Sequence, residues 1–458
     1  MIKRFHRRDF IKQGSAATAA TVISTSLTSS LLANSTNNTS GAAILGGQPV
    51  RTTPWQVWPM WNPETDEKRL IEDIRSGVWS RNSLVTEFEE EWARALGVKR
   101  SLAVVNGTNA LIASLIQLNI GGGDEVIIPP YTFIATAAAV IATGAIPVFA
   151  DIDPETFQID PGKIEPKITP RTRAIIPVHI LGLPANMPRI MEIAKKHDLV
   201  VIEDACQAHL AEINHRKVGT FGHAGCFSFQ NSKNLAIGEG GAIVSDDIEF
   251  MDRCYSYHNY GNPYGTVVGA VGAGTLIPGN KLRITEYQAA IGLAQLKRLD
   301  EQTTVRNVNA EYLKSKIKNI PGIIPYRLYE NVTRAAFHIF PFRYKKLEFK
   351  DLPRKDFLKA LNAEGIPCSG GYQPLNTMPF LGNAFQTKNF KKMYPGSVLD
   401  INKYNEQNHC PANDQLCNEE AVWLNQNMLL GPKHDMDDIF MAIEKIQKNA
   451  EKIINRSK

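Results

Sequence analysis

Short apolar runs alternate with longer helical segments between about residue 65 and residue 300. The apolar runs predict strands at 102–105, 125–128, 146–150, 174–178, 199–204, 226–229 and 242–245. Helices are predicted at 110–118, 135–143 and 190–197, and a strongly amphipathic helix is predicted at 284–299. Apolar strands separated by helical segments of roughly 10–15 residues favour a mainly parallel sheet that is covered by helices on both faces.

The region from 301 to 458 has a different pattern, with a helix predicted at 308–316, a strand at 339–344, a helix at 354–364 and a helical tail from Asp435. This mixture is typical of a smaller α+β domain. We therefore predict an α/β protein with a large domain at 46–300 and a small C-terminal domain at 301–458.

Tryptophan and proline dominate the start of the predicted large domain, at 49–63. Proline fixes φ and lacks an N–H donor, so this segment cannot be helical. We predict an extended arm that packs either on the main body or on a partner subunit.

The first 33 residues are predicted to be a targeting segment. Arg7 and Arg8 are followed by a weakly hydrophobic stretch from Ala16 to Ala33, an order that resembles a twin-arginine (Tat) export signal. A basic tail that contains two arginines by chance is the alternative. Residues 34–45 are predicted to form a flexible linker. We accordingly expect export through the Tat route to the periplasm.

Charge and apolar content argue against two kinds of partner. Residues 1–33 carry five basic side chains and Asp9, a net charge of +4, so the chain's +5 leaves about +1 for the remainder. A nearly neutral body gives no reason to expect nucleic acid as a partner. Beyond the N-terminus no apolar run approaches 20 residues, so no membrane span is expected in the mature protein.

The six cysteines form neither a CxxC pair nor a spacing that suits metal ligands, so no metal site is expected. Cys410 and Cys417 are close enough in sequence for a disulfide in an oxidising compartment, and separate buried thiols are the alternative.

Lys233 is the strongest candidate for chemistry. It is flanked by small hydroxyl and amide residues and is followed by a Gly-Glu-Gly-Gly turn, which permits close approach of the backbone. Asp204 lies 29 residues upstream, at the end of an apolar run. This pair suits a lysine that forms a Schiff base with pyridoxal 5'-phosphate and an acid that keeps the pyridinium nitrogen protonated. A solvated surface lysine and a salt-bridged acid are the structural alternatives.

Other candidate residues follow the predicted strands, at the sheet edge where a ligand crevice forms. Gly107 and Thr108 open a helix directly after a strand, an arrangement that favours binding of a phosphate, and Ser228 is a second phosphate donor. An ordinary helix cap is the alternative. Phe133 can lie flat on a cofactor ring or pack in the core. Gln207 can donate to the phenolic oxygen of the cofactor.

The combined motifs at 106–108, 130–133, 203–209, 228–241 and 279–292 resemble the DegT/DnrJ/StrS-type sugar aminotransferases. The resemblance covers nearly the whole chain after residue 46. It implies the aspartate-aminotransferase fold and pyridoxal 5'-phosphate as cofactor. Asn186 stands where the family pattern commonly has aspartate.

The resemblance also implies a role for each matched residue. Lys233 would form the Schiff base, and Asp204 would pair with the ring nitrogen. The other cofactor contacts would be Gly107, Thr108, Phe133, Gln207 and Ser228. Asn280 would reach the phosphate of the neighbouring subunit, which implies a homodimer with shared active sites. Tyr372 would approach the substrate.

The expected function is transfer of an amino group from glutamate or glutamine to a keto sugar or keto-cyclitol. Family members usually act in the cytoplasm on nucleotide-linked keto sugars, so export favours a free ketone as the acceptor. Two alternatives stay open. One is a pyridoxal-phosphate-dependent dehydratase or lyase, although dehydratase relatives replace the lysine at position 233 with histidine. The other is a sensor that binds a ligand without catalysis.

Overall fold

The computed structural model describes residues 41–266 and 274–457. The predicted signal at 1–33 and the first part of the predicted linker, 34–40, lie outside the described residues.

Regular structure is present before Gly46, inside the segment 34–45 that the composition predicts to be a flexible linker. Residues Ala43–Leu45 form a short 3-10 helix, and Ala42 is fully buried. The carboxylate of Glu364 accepts hydrogen bonds from the backbone N–H groups of Ala43 (2.7 Å) and Val50 (3.0 Å). The end of the predicted linker is therefore held against the body by contacts with a residue that is distant in sequence.

The strands are β1 (Arg100–Val104), β2 (Glu125–Ile128), β3 (Ile146–Phe149), β4 (Thr172–Ile175), β5 (Val200–Asp204), β6 (Glu212–Ile213), β7 (Arg216–Lys217), β8 (Ala224–Ser228), β9 (Gly241–Ser245), β10 (Ile323–Pro325), β11 (Val332–Arg334), β12 (Ile339–Tyr344), β13 (Cys368–Ser369) and β14 (Ala421–Asn425). The α-helices are α1 (Pro63–Ser76), α2 (Ser83–Leu96), α3 (Gly107–Gln117), α4 (Ala135–Ala142), α5 (Met187–Lys196), α6 (Ile248–His258), α7 (Glu286–Ile317), α8 (Arg354–Ala363), α9 (Pro379–Phe385), α10 (Lys388–Met393), α11 (Ile401–Gln407), α12 (Pro411–Gln415) and α13 (Lys433–Ser457). None of these described helices is both long enough and apolar enough to span a membrane.

The central sheet has seven strands in the order β1-β9-β8-β5-β4-β2-β3. The pairs β8–β5, β5–β4, β4–β2 and β2–β3 are parallel, whereas β9 runs antiparallel to both of its neighbours. The predicted α/β class with a mainly parallel sheet is confirmed. Successive side chains on a strand point to opposite faces, so both faces need a cover.

Two separate apolar clusters provide that cover. Ala103 and Ile127 belong to a cluster that includes Trp92 of α2, together with residues of α5 and α7. Their neighbours Val104 and Val126 belong to a second cluster, which includes residues of α3, α4 and α6. The sheet is therefore buried on both sides, which explains why its strands are almost continuous apolar runs and do not alternate between apolar and polar residues.

Helix α7 is continuous over 32 residues, although the sequence predicts separate helices at 284–299 and 308–316. The intervening residues are polar, but several of them are buried, and Arg306 donates two hydrogen bonds to Gln426 Oε1 (2.9 and 2.5 Å). Tertiary contacts thus complete a helix that periodicity alone divides. The helix also runs through residue 300, where the sequence places the boundary of the large domain.

A second, antiparallel sheet has the order β10-β12-β14-β13. It shares an apolar cluster with α8, α13 and the C-terminal half of α7. Helices α9 to α11 belong instead to the cluster on the α3–α4 face of the central sheet. For example, Tyr404 donates to the carbonyl of Pro147 (2.6 Å). The domain limits of 46–300 and 301–458 stay predictions.

The tryptophan- and proline-rich arm packs on the body of its own chain. Arg51 forms an ion pair with Asp435 (2.6 Å), and Trp55 Nε1 donates to the carbonyl of Gly365 (2.9 Å). The first of the two predicted arrangements is therefore present. The six cysteines are free thiols, so Cys410 and Cys417 are not joined.

Candidate active site

A cavity of about 600 Å³ opens where the parallel strands of the central sheet end. Strands β1, β5 and β8 have their carboxyl ends at this edge, since β5 and β8 are parallel and β9 lies antiparallel between β8 and β1. The cavity is lined by eight of the residues predicted to form the site: Gly107, Thr108, Phe133, Asp204, Gln207, Ser228, Lys233 and Tyr372.

Asn280 does not line this cavity. It is exposed on the surface, where its carbonyl accepts a hydrogen bond from the N–H of Tyr260 (3.0 Å) and its side chain accepts from the N–H of Lys281 (2.8 Å). The predicted action of Asn280 in a neighbouring subunit stays a prediction.

Lys233 follows β8 in a tight loop, where its N–H donates to the carbonyl of Gln230 (2.8 Å). Its side chain is half-buried and makes no hydrogen bond or ion pair with any described residue. Burial lowers the pKa of the Lys233 amine, and nearby Cys206 and Asp204 act in the opposite direction. An amine with a lowered pKa loses its proton more readily, as a nucleophile requires. Lys233 is thus a half-buried lysine of the cavity lining, and its part in a Schiff base stays a prediction.

Asp204, the last residue of β5, is 5% exposed. Its Oδ2 accepts a hydrogen bond from the hydroxyl of Thr136 (2.8 Å), and its Oδ1 accepts from the N–H of Cys206 (3.2 Å). No described lysine, arginine or histidine forms an ion pair with it. The carboxylate is therefore buried, held by neutral donors and not in direct ion-pair contact with any described side chain, so the salt-bridged alternative is wrong.

Gln207 has a fixed orientation. Its Oε1 accepts from the N–H of Leu181 (2.8 Å), and its Nε2 donates to the hydroxyl of Tyr372 (2.8 Å). A primary amide has two hydrogens on its nitrogen, so a second donor is left for a ligand.

The start of α3 is shaped to receive an anion. The side chain of Asn106 caps the N–H of Asn109 (2.9 Å), whereas the N–H groups of Gly107 and Thr108 are in the first turn and have no partner within the helix. A Cβ atom on Gly107 would lie 2.6 Å from the Sγ of Cys206 and 3.0 Å from the Cβ of Ser228. Glycine is therefore required if the backbone is to keep this approach.

Phe133 presents an uncovered aromatic surface at the cavity. Its side chain is 56% exposed, which is unusual for phenylalanine, so it is not part of the core. A flat ligand that stacks on this ring would remove apolar surface from water.

Several cavity residues were not predicted from the sequence. Thr132 lines the cavity, and Thr136 lies behind Asp204; their spacing of four at the start of a helix is a weak local signal. His338 and Trp423 come from the second sheet region and have no local motif. Trp423 packs edge-on against Tyr372, with ring centroids 4.5 Å apart.

His338 is buried and lines the cavity, and its Nδ1 has no hydrogen-bond partner among the described residues. Burial lowers the pKa of His338 well below its usual value, and the nearby amine of Lys233 lowers it further. The imidazole is consequently neutral at physiological pH.

The match to the DegT/DnrJ/EryC1/StrS aminotransferase family spans residues 62–399. The chain belongs to this family. An L-glutamine:2-deoxy-scyllo-inosose aminotransferase of Streptomyces kanamyceticus is 34% identical over 424 residues, with 88% of this chain and 96% of that protein covered. The spore coat polysaccharide biosynthesis protein SpsC of Bacillus subtilis is 34% identical over 390 residues, with 84% and 95% covered.

Among solved structures, 3-amino-5-hydroxybenzoic acid synthase is 28% identical, with a TM-score of 0.73 and coverage of 88% of this chain and 100% of that chain. The predictions of an aminotransferase and of pyridoxal 5'-phosphate as cofactor are confirmed.

Three independent features of the cavity in this chain suit pyridoxal 5'-phosphate. The N–H groups of Gly107 and Thr108, which have no partner within the helix, suit its phosphate. The exposed ring of Phe133 suits its flat ring, and the buried carboxylate of Asp204 suits a charged ring nitrogen. Lys233 lies in the same cavity with a lowered pKa.

Proposed function

We propose that this aminotransferase moves an amino group from glutamine, or from glutamate, to a free keto-cyclitol or keto sugar. The observation that carries the proposal is the meeting of Lys233, Asp204 and an anion-binding helix start in one cavity. The choice of donor and acceptor class is supported by the relative that is named as an L-glutamine:2-deoxy-scyllo-inosose aminotransferase.

The part of the cavity lining that one chain contributes supports an uncharged acceptor. Among its described lining residues, Lys233 is the single lysine or arginine, and His338 is neutral. A nucleotide-linked sugar carries a diphosphate, which proteins usually bind with arginine or lysine. The side of the cavity that contains Tyr372 and Trp423 instead offers aromatic surfaces and a hydroxyl, which suit the C–H faces and hydroxyl groups of a polyol.

Lys233 and Asp204 act directly in the chemistry of the reaction. Pyridoxal phosphate, when bound, supplies an aldehyde that combines with amino groups and a ring that accepts electrons. Lys233 provides the amine that holds the cofactor and then carries a proton at its Nζ. Asp204 keeps a proton on the ring nitrogen by offering a buried negative charge beside it.

The remaining residues bind and orient. Gly107, Thr108 and Ser228 hold the phosphate, and Phe133 stacks on the ring. Gln207 uses its second amide hydrogen for the ring hydroxyl, while its first hydrogen bonds to Tyr372. Tyr372 is thereby held where it can contact the substrate.

We also propose a homodimer with shared active sites, in which Asn280 binds the phosphate in the neighbouring subunit. The exposed position of Asn280, outside the cavity of its own chain, supports this. Exposed apolar side chains on and after α1, including Ile74, Val78 and Trp79, are also consistent with a further interface.

Export through the Tat route to the periplasm completes the proposal. The order of Arg7, Arg8 and the following weakly hydrophobic stretch supports it. A folded protein that already holds its cofactor suits this route, and an uncharged acceptor suits a compartment without nucleotide sugars.

A half-reaction tests the proposed donor. Purified protein loaded with pyridoxal phosphate is mixed with glutamine, and conversion of the bound cofactor to pyridoxamine phosphate is followed by absorbance and by mass spectrometry. Glutamine or glutamate should drive the conversion, and a panel of keto-cyclitols and keto sugars should then reverse it. Conversion by neither donor would contradict the donor assignment, and reversal by nucleotide-linked keto sugars alone would contradict the acceptor assignment.

A further inference from the structure

We propose that Thr136 is a positioning residue, which with Thr132 behind it holds the carboxylate of Asp204 in the orientation that pairs with the cofactor's ring nitrogen. The inference rests on the proposed role of Asp204. It assigns a task to two residues outside the set of cofactor contacts.

The three side chains form a continuous hydrogen-bonded chain in the protein interior. The hydroxyl of Thr136 lies 2.8 Å from Asp204 Oδ2, and the hydroxyl of Thr132 lies 2.9 Å from that of Thr136. The exposed fractions of Thr132, Thr136 and Asp204 are 3%, 1% and 5%. Bulk water therefore contributes little to the solvation of this carboxylate.

The direction of the chain follows from counting hydrogens. An ionised carboxylate accepts hydrogen bonds and cannot donate them, so Thr136 must direct its single hydroxyl hydrogen to Asp204. The oxygen of Thr136 then accepts from Thr132, which lines the cavity. Each donor in the chain polarises the next, so Thr132 strengthens the bond from Thr136 to the carboxylate.

The two oxygens of Asp204 are held from different parts of the fold. Thr136 lies in the first turn of α4 and binds Oδ2, whereas the N–H of Cys206 lies in the turn after β5 and binds Oδ1. The backbone of Asp204 is also fixed, because its N–H donates to the carbonyl of Pro177 (2.9 Å). With the backbone fixed, the side chain can still rotate about its Cα–Cβ and Cβ–Cγ bonds, and donors at both carboxylate oxygens restrict both rotations.

A purely structural role would predict something different. If the two threonine hydroxyls served only to hydrogen-bond each other in the interior, loss of one would destabilise the fold and weaken the binding of all ligands equally. If Thr136 positions Asp204, its loss should weaken selectively the interaction with a ring that carries a nitrogen.

A cofactor analogue separates these cases. The apoprotein is titrated with pyridoxal phosphate and with its carbocyclic analogue, in which a CH group replaces the ring nitrogen, and both dissociation constants are measured by fluorescence without any amino donor or ketone. Thr136→Val keeps the shape of the side chain and removes the hydroxyl. We expect it to weaken binding of pyridoxal phosphate about tenfold, the lower end of what one hydrogen bond to a charged group contributes, and binding of the analogue by ~2-fold at most.

Thr136→Ser restores the hydroxyl and should recover the affinity of the parent protein. Thr143→Val is the matched control, because Thr143 follows the same helix and its hydroxyl bonds to the carbonyl of Val140 (2.8 Å), away from Asp204.

Two outcomes would overturn the inference: binding of both ligands weakened equally in Thr136→Val, or binding of neither weakened. Equal affinities of the parent protein for the two ligands would instead overturn the assigned role of Asp204, and with it the basis of the inference. Neither measurement depends on the identity of the ketone.

Discussion

Lys233 and its surroundings show how a common residue acquires a chemical role. Burial lowers the pKa of its amine, and nearby Cys206 and Asp204 limit that effect. The amine is thus easier to deprotonate than a surface lysine, which suits a group that must attack a carbonyl.

Replacement of this amine should remove activity. We expect Lys233→Ala to reduce amino transfer by ~10³-fold or more, because the variant loses a positioned acid–base group. Borohydride treatment of the loaded parent protein should fix the cofactor to the peptide that contains Lys233. Lys195→Ala, which alters an exposed lysine on α5, serves as the control. An adduct on another side chain would contradict the assignment.

The buried side chain of His209 makes the free energy of unfolding depend on pH. Burial and the charge of Lys233 lower the pKa of His209 to about 3, and its Nε2 lies 2.9 Å from the carbonyl of Ser228. The unfolded chain therefore binds a proton near pH 6.5 that the folded chain does not bind until about pH 3. The free energy of unfolding is therefore not reduced by His209 above pH 6.5, and it falls as the pH falls from 6.5 towards 3 because the unfolded chain binds the proton first.

His209→Gln should make the free energy of unfolding less dependent on pH. The parent should lose about 1.4 kcal/mol more per pH unit than this variant between roughly pH 6 and pH 4, the slope for one proton. Urea unfolding at several pH values measures the difference. His215→Gln is the control, because His215 is largely exposed. Equal slopes for the parent and His209→Gln would show that His209 is not kept neutral by the fold.

The packing of elements determines how closely α3 approaches β5 and β8. Gly107 begins the helix at the point where it meets Cys206 and Ser228, and no side chain fits between them. The proposed phosphate site therefore depends on a contact between three elements as well as on the N–H groups of one.

Gly107→Ala should disturb this contact. The added methyl group must displace Cys206 or the backbone beside it, which we expect to cost about 1–3 kcal/mol and to weaken cofactor binding ~10-fold or more. Titration of the apoprotein with pyridoxal phosphate tests this. A second change, Cys206→Ala, should recover part of the loss. Gly396→Ala is the control, because a Cβ there meets nothing within 4 Å and the backbone is not left-handed. Unchanged affinity in Gly107→Ala would contradict the steric argument.

The whole molecule is proposed to act as a homodimer, and hybrid dimers can test the shared site. We expect Lys233→Ala and Asn280→Ala each to be impaired at limiting cofactor. A mixture allowed to exchange subunits should regain about a quarter of the parent activity, because half of the dimers would be hybrids with one intact site each. No recovery on exchange, despite hybrids seen by mass spectrometry, would mean that Asn280 acts in its own subunit or not at all.

Export is the second proposal at the scale of the whole chain. The full chain, expressed in a bacterium with a Tat translocase, should appear in the periplasm with bound cofactor. Replacement of Arg7 and Arg8 by lysine should retain it in the cytoplasm without loss of folding. Periplasmic location of the lysine variant, or cytoplasmic location of the parent, would contradict the proposal.

The residues that carry the chemistry could be predicted because they lie in local motifs beside strand ends. Strand 125–128 and strand 339–344 have the predicted bounds, since a short apolar run between polar turns permits little else. Helix α7 was divided wrongly, because Arg306 and its neighbours are polar residues that only a distant partner, Gln426, makes compatible with burial.

The sequence by itself determined the parallel sheet, the lysine and acid at its edge and the family, because apolar periodicity and short motifs are local properties of the chain. Only the tertiary structure decided which donors surround Asp204, that Phe133 is exposed while Trp423 and His338 reach the cavity, and that the arm packs on its own body. These features depend on contacts between residues that are distant in sequence. Such contacts form only when the whole chain folds, so no local pattern in the sequence predicts them.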